Sequence, residues 1–226
     1  MQHVYEGKTK SVFKREDGLY VLVLKDDVTG EDGQIDPGAN SIMGQLPGMG
    51  KASLKMSAYY FELLHQQGVK THYVDHDMEQ NTMVVKPVEF FGEGIEVICR
   101  FTAWGSFVRR YGKYCAPGKK LDALVEITLK DDDRGDPLIT RDALEQLGIM
   151  TPEEYDILKQ AAQKIAGIIK TDLEDRQLAL YDIKFEFGRF EDDIILIDDI
   201  SGGNMRVFDQ KGVQVGPLEL SALITG

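Results

Sequence analysis

Cysteine is scarce in this chain of 226 residues: there are two, Cys99 and Cys115. Their spacing is not that of a metal site, and two thiols are too few for a disulfide framework, so stapled small domains and zinc modules are excluded. Cys99 lies in an apolar stretch and reads as simply buried. Histidine is scarce too, and His3, His65, His72 and His76 show neither ligand spacing nor a Ser-His-Asp arrangement. They are set aside as structural or surface residues. No apolar run approaches the length of a membrane span, and no signal peptide precedes Tyr5, so the expectation is a cytoplasmic protein with no membrane partner. Basic residues are outnumbered, 26 to 38, for a net charge of −12. A field of that sign opposes nucleic acid, whose phosphates need clustered Lys and Arg, but leaves room for a local basic pocket around a small phosphorylated ligand.

What is present suits one large domain or two small lobes with a real core. The first third reads as short strands: Val4-Tyr5, Ser11 to Lys14 and Leu19 to Lys25, with Gly7 and Asp17-Gly18 at the turns. Residues 26–50 are rich in Asp and Gly and are expected as a long loop. From Lys51 a helix follows, with Leu54, Ala58, Phe61 and Leu64 as its apolar stripe and Gly68 at its C-terminal cap. Val69 to Val74 and Thr82 to Lys86 read as strands, and Pro87 to Gly94 as a hinge. Ile95 to Ala103 and Leu124 to Leu129 are further strands. Thr151-Pro152-Glu153-Glu154 is a helix start, with Thr as N-cap, Pro first and Glu closing a capping box. That helix runs to about Asp175, with Leu158, Ala161, Ala162, Ile165, Ile169 and Leu173 on one face.

The chemistry-bearing segments are few. In Leu180 to Phe187 alternation puts Asp182, Lys184 and Glu186 on one face and Ile183, Phe185 and Phe187 on the other. A turn over 188–193 leads to an apolar strand, Ile194 to Ile197, which ends in Asp198-Asp199. Carboxylates converging from paired strands, with a lysine beside them, suit a magnesium–nucleotide site; a solvated strand face with alternating charges is the commoner cause of such a pattern. Tyr5-Glu-Gly-Lys-Thr-Lys10 is a glycine turn that sends Lys8 and Lys10 to one side, where they can embrace phosphate oxygens or simply meet solvent. Asp26 to Gly33 carries four carboxylates but lacks the positions of a calcium loop, and reads as a mobile acidic loop. Arg100 to Gly112 is the most basic local segment, with Gly105-Ser106 as a possible anion-binding helix start; surface salt bridges would explain its arginines equally. Arg206 follows a glycine pair, and its guanidinium can grip a phosphate or a carboxylate at two points.

In this order, Tyr5-Glu-Gly-Lys-Thr-Lys10, Gly105-Ser-Phe-Val-Arg-Arg-Tyr-Gly112, Lys130-Asp-Asp-Asp-Arg-Gly-Asp-Pro137, Asp182-Ile-Lys-Phe-Glu-Phe-Gly188 and Asp198-Asp-Ile-Ser201 with Arg206 resemble the phosphoribosylaminoimidazole-succinocarboxamide synthases, or SAICAR synthetases. The resemblance spans almost the whole chain. It implies an α+β fold of two lobes, an antiparallel-sheet lobe over residues 1–86 and a larger mixed lobe over 87–226, with the nucleotide between them. It implies an ATP-dependent carboxylate–amine ligase of purine biosynthesis, joining carboxyaminoimidazole ribonucleotide to L-aspartate with ATP and Mg2+, through an acyl phosphate. It further implies a homo-oligomer, a dimer. Carried over residue by residue, Lys184 is the catalytic lysine, bridging ATP and the carboxylate to be phosphorylated. Lys8, Lys10, Lys86 and Glu186 serve the nucleotide, and Glu186 and Asp198 the metal. Arg100, Ser106, Arg206 and Asp32 serve the substrate. Two departures bear on the substrate: Gly202-Gly203 stands where the family commonly has Pro-Asp, with Asn204 adjacent, and the C-terminal tail is short. They leave open a related ligase or small-molecule kinase acting on another acid or amine. A nucleotide-binding module without catalysis is opposed by the retained Lys184, Glu186 and Asp198.

Overall fold

The computed structural model of the protein describes residues 1–31, 34, 35 and 41–226. Its chain divides into two compact units, one of Met1–Val88, Ile197–Asn204 and Val215–Gly226, the other of Glu89–Leu196 and Met205–Gln214. The first break lies two residues beyond the expected 86. Downstream the chain is shared rather than continuous: two segments within the span expected as one lobe return to the first unit.

The strands β1 (Gln2–Glu6), β2 (Lys10–Lys14) and β3 (Tyr20–Leu24) open the first unit. The stretch expected as a long loop instead contains β4 (Asp27–Glu31), β5 (Gln34–Ile35) and β6 (Ile42–Gln45), paired antiparallel in the order β5-β4-β6. Aspartates and glycines hid these strands, because a short ladder pairs backbone groups and needs only one apolar anchor, here the buried Val28. Helix α1 (Met49–Gln66) follows, then β7 (Tyr73–Asp77) and β8 (Thr82–Val85). The main sheet runs β1-β2-β3-β8-β7, every pairing antiparallel.

Both ends of α1 are set by backbone chemistry. Asp26, read as part of the acidic loop, accepts from the Gly48 and Gly50 N–H groups at 3.1 and 2.9 Å, and so caps the start of the helix. At the other end Gly68 sits at φ 69°, with Gly68 N–H on the His65 carbonyl and Val69 N–H on the Leu64 carbonyl. That is a Schellman closure, which needs a residue without a Cβ penalty at positive φ. It occupies Val69, so β7 begins at Tyr73 and not at 69 as expected. The apolar stripe of α1, Leu54, Ala58, Phe61 and Leu64, is fully buried with Leu22, Leu24, Met83 and Val85 of the sheet.

The second unit comprises β9 (Glu89–Phe90), β10 (Ile95–Thr102), α2 (Gly105–Tyr111), β11 (Lys120–Leu129), α3 (Arg141–Gln146), α4 (Pro152–Asp175), β12 (Ala179–Phe190), β13 (Asp193–Ile197) and β14 (Met205–Phe208). Its sheet runs β11-β10-β12-β13, and the long β12 also pairs with β9 and β14. The strand continues to Phe190, so the turn expected over 188–193 shrinks to Glu191 and Asp192, with Glu191 at φ 54°. The capping box of α4 is complete: Thr151 Oγ1 accepts from Glu154 N–H, and Glu154 Oε2 accepts from Thr151 N–H at 2.8 Å. Leu158, Ala162, Ile165, Ile169 and Leu173 of α4 bury against the apolar face of β10, β11 and β12, which includes Val97, Cys99, Ile183 and Phe185. Burial pushes the Cys99 thiol up to about 12, as befits an inert core cysteine.

Arg189 ties the end of β12 to this helix. Its Nε donates to Glu154 Oε1 at 2.5 Å, its Nη2 to the Ile149 carbonyl at 3.1 Å, and its guanidinium lies 4.0 Å from the centre of the Phe91 ring. Helix α5 (Pro217–Thr225) belongs to the first unit and packs on α1, with the Ser221 hydroxyl donating to the Ala52 carbonyl at 3.0 Å. Among the described residues no helix is long and apolar enough to cross a membrane.

Candidate active site

The strand face carrying Asp182, Lys184 and Glu186 is not a solvated one. Register sets Asp182 opposite Arg100 on one side and Arg206 on the other, Lys184 opposite Ile98, and Glu186 opposite Glu96. Asp182, 2% exposed, accepts from Arg206 Nη1 at 2.8 Å and from Arg100 Nη1 at 3.3 Å. Arg100 also donates through Nε to Glu126 at 2.7 Å and through Nη2 to the Ser106 hydroxyl at 3.0 Å. Arg110 reaches the same Glu126 oxygen at 2.6 Å. Arg100, Arg110 and Arg206 thus bring three positive charges against the two of Asp182 and Glu126, with Arg100 and Arg206 only 2% and 5% exposed. Guanidinium groups held by buried carboxylates are pre-aimed, and an excess of positive charge suits an anion such as a phosphate. Gly105 makes the arrangement possible. It lies at φ 52°, and a Cβ there would stand 2.9 Å from Arg206 Cζ. Further along the face Lys184 pairs with Glu96 and Lys130 with Glu186, each at 2.6 Å.

The first unit holds a second charged cluster. Lys10 donates to Asp198 Oδ1 and, at 2.5 Å, to Asp199 Oδ1. Burial works against the lysine charge, yet Asp198 and Asp199 outweigh it and hold the ammonium well above the usual lysine range. Asp198 occupies a left-handed conformation at φ 70°, and its carbonyl meets His72 Nε2 at 2.9 Å. A carbonyl only accepts, so Nε2 carries the proton. Burial pushes His72 down to about 4, so the ring is neutral. The unfolded chain takes up that proton near pH 6.5 and the folded chain does not, so stability present above pH 6.5 is lost as pH falls toward 4, by roughly 3 kcal/mol. Urea midpoints measured across that window should fall for the native chain, and His72→Gln should flatten the slope by about one proton.

The Tyr5–Lys10 turn closes with Gly7 N–H on the Lys10 carbonyl at 2.8 Å, which places Lys8 at its tip. Lys86 follows β8, its N–H donating to the His72 carbonyl at 2.8 Å.

These sites can be compared with those of known proteins. The family model described as SAICAR synthetase matches residues 3–221. A curated phosphoribosylaminoimidazole-succinocarboxamide synthase of Clostridium tetani is 54% identical over 226 residues, covering 99% of both chains. The chain belongs to the SAICAR synthetase family. Among solved structures, a type-2 SAICAR synthetase in complex with ADP matches with a TM-score of 0.82 at 29% identity, over 93% of this chain and 86% of its own. A type-1 SAICAR synthetase from Pyrococcus horikoshii OT3 matches at 0.80 and 27% identity, over 94% and 93%.

Against the family pattern, the structure brings Arg100 together with Ser106, joins Arg206 to Arg100 through Asp182, and joins Lys10 to Asp198. Lys184 lies on the same strand face as Asp182. Glu186 and Asp198, expected as metal ligands, fall in different units and are each paired with a lysine. Among the described residues no group of three His, Cys, Asp or Glu side chains is placed to hold a metal ion. Asp32 lies outside the described residues. The helix start at Gly105 exists, but α2 has only seven residues and its Ser106 serves Arg100.

Three site residues, Glu96, Glu126 and His72, had no site role in the sequence reading, and Asp199 entered it only as the neighbour of Asp198. Glu96 and Glu126 are charges flanked by apolar residues in strands, a detectable signal because a buried charge needs a partner. His72 carried no signal, since nothing in its neighbours marks a ring aimed at a distant carbonyl.

The family's departure point is a built turn. Asn204 Oδ1 accepts from Ser201 N–H at 3.1 Å and from the Ser201 hydroxyl at 2.9 Å, and that hydroxyl accepts from Gly203 N–H at 3.2 Å. A Cβ on Gly202 would lie 2.6 Å from Pro217 Cα, whereas one on Gly203 would meet nothing closer than 3.4 Å. Gly202→Ala should therefore cost about 1–3 kcal/mol in thermal unfolding through overpacking against α5. Gly203→Ala should be within about 0.5 kcal/mol of the native chain, and equal losses at the two positions would refute this account.

Proposed function

We infer that the chain is an ATP-dependent ligase of purine biosynthesis that joins the carboxylate of carboxyaminoimidazole ribonucleotide to the amino group of L-aspartate. The observation that carries this reading is the buried, net-positive Arg100–Asp182–Arg206 cluster on the strand face that also presents Lys184. Arg100, Ser106 and Arg206 take the phosphate of the ribonucleotide, with Asp182 and Glu126 keeping the guanidinium groups aimed. Lys8 and Lys10 take the nucleotide phosphates, and Lys86 serves the adenine side of the nucleotide. Lys184 supplies the charge that offsets the repulsion of the two anions while a carboxylate oxygen attacks the γ-phosphorus and ADP departs. The amine of aspartate then attacks the acyl carbon of the mixed anhydride, phosphate leaves, and the amide nitrogen gives up its proton to solvent. A free carboxylate resists attack by an amine, which is why the first step is needed.

Asp198 and Asp199 of the first unit are adjacent hard oxygen donors of the kind that suit Mg2+, which takes one or two carboxylates and completes its shell with water and phosphate oxygens; Glu186 is a donor of the same kind in the second unit. Bound there, the ion would neutralise charge on the phosphates. Lys10 now balances Asp198 and Asp199, so it has the additional role of keeping adjacent carboxylates together until a metal–nucleotide complex arrives.

The decisive assay follows ADP release with Mg-ATP, the ribonucleotide and aspartate. Release that requires both acceptor substrates is the expected result, and none above background would sink the reading. Gly202-Gly203 in place of the family's Pro-Asp after Ser201 favours one alternative, a ligase of the same type acting on another acid or amine. Release with a different acid–amine pair, but not with this one, would select it.

A further inference from the structure

Register lays out the polar face of the second unit's sheet in rows. Thr128, Glu96 and Glu186 stand side by side on β11, β10 and β12. Glu126, Ile98 and Lys184 form the next row, and Leu124, Arg100, Asp182 and Arg206 the one beyond. Neighbouring rows are about 7 Å apart, so Lys184, on its flexible four-carbon stem, is within reach of carboxylates on both sides. Straight across on β10 stands the apolar Ile98, which means that an ion pair with that strand has to be diagonal.

Lys184 leans toward the Glu96 row, with Nζ donating to Glu96 Oε1 at 2.6 Å. Two features decide that direction. On the other side Asp182 already receives Arg100 and Arg206, and a third cation there would meet two guanidinium groups. In the Glu96 row two glutamates are directly opposed, an unfavourable pair unless each has a cation. Lys130 answers Glu186, and Lys184 answers Glu96. Glu96 is also held from its far side. The hydroxyl of Thr128, a residue only 6% exposed, donates to Oε2 at 3.3 Å, which leaves Oε1 turned to the lysine.

We propose that Glu96, oriented by Thr128, is the positioning residue of Lys184. It keeps the ammonium out of the Arg100–Asp182–Arg206 cluster, so that this charge stays available to the reacting anions. Thr128, Glu96 and Lys184 make one hydrogen-bonded line across three strands. The proposal rests on the functional reading above, which gives Lys184 its role.

Kinetic constants for ATP, the ribonucleotide and aspartate are to be measured in the native chain, Glu96→Gln and Thr128→Val, and for both substitutions again in Lys184→Met. Glutamine keeps the shape and an acceptor oxygen, and valine keeps the branched shape without the hydroxyl. Glu96→Gln should lower kcat by about 10- to 100-fold, the scale expected when a reacting group is misplaced by about 1 Å. KM for the ribonucleotide should stay within about 2-fold, because the arginine cluster is untouched. Thr128→Val should lower kcat by about 3-fold. In Lys184→Met both losses should shrink below about 2-fold, since a residue that works through the lysine then has nothing to position. A fall of less than about 3-fold in Glu96→Gln overturns the proposal, and so does an equal loss with and without Lys184. A rise of all three KM values together would show a structural role and overturn it as well. If Glu96→Gln does not fold, Thr128→Val decides, and an unchanged kcat there rejects the positioning.

Should the native chain release no ADP at all, the functional reading has failed, and the hold on Lys184 is measured without substrates. Acetic anhydride labels the neutral amine, the form that loss of the Glu96 charge favours. The labelling rate of Lys184, followed by mass spectrometry, should therefore rise about 5-fold in Glu96→Gln. An unchanged rate would reject the hold itself.

Discussion

Lys184→Met should lower kcat for ADP release by about 100- to 1,000-fold, the loss typical when a single preorganised charge is withdrawn from a developing anion. The side chain stands on the central strand β12, where the sheet's pairing and not a loop fixes its position. It is 25% exposed and held by Glu96 at 2.6 Å, so its ammonium reaches solvent without being free to swing. Methionine keeps the length of the stem and removes only the charge. Glu96 is only 13% exposed but keeps the Thr128 hydroxyl as a donor at 3.3 Å, so orphaning it should cost about 1–3 kcal/mol. Circular dichroism should be unchanged, and KM for ATP should move less than kcat. A fall in kcat of less than about 10-fold would remove Lys184 from the chemistry.

Asp182→Ala should cost about 3–5 kcal/mol in chemical denaturation, the largest stability effect expected in the second unit. This carboxylate receives Arg206 at 2.8 Å and Arg100 at 3.3 Å with almost no access to water. Removing it leaves two buried guanidinium groups facing each other, with Glu126 as the remaining counter-charge to Arg100. Asp182→Asn keeps the shape and one acceptor oxygen, so its cost should be smaller. Added phosphate should stabilise Asp182→Ala by more than it stabilises the native chain, since an anion can then also take the carboxylate's place. A loss below about 1 kcal/mol would mean that water reaches the cluster and that its arginines are not held as described.

The legible parts of this fold were those in which one short segment carries its own signal. The capping box at Thr151 and Glu154 set the start of α4 to the residue, and the spacing of Leu158, Ala162, Ile165 and Ile169 gave its buried face. The alternation in β12 gave the polar face of the site. What the sequence could not show was partnership between distant strands. Nothing local says that Asp182 answers Arg100 and Arg206, or that Glu96 answers Lys184, because register is decided by the whole sheet. The short strands β4, β5 and β6 escaped for a related reason. Their pairing is backbone to backbone, and their side chains vote for a loop. Asp26 was misread because a carboxylate that caps a helix more than twenty positions away looks the same as one that meets solvent.

The fixing of Arg189 has a consequence for the strand on which everything else stands. Side chains alternate along β12, so a slip of one position would present Ile183, Phe185 and Phe187 where Asp182, Lys184 and Glu186 belong, and bury three charges under α4. Backbone hydrogen bonds alone tolerate such a slip. Arg189 does not, because its guanidinium fits only where Glu154, the Ile149 carbonyl and the Phe91 ring coincide. Glu154 is itself fixed to the first turn of α4, so the residue that starts the helix also indexes the strand. The arginine works as a locating pin, and the handedness of the catalytic face, polar on one side and greasy on the other, is settled far from any substrate.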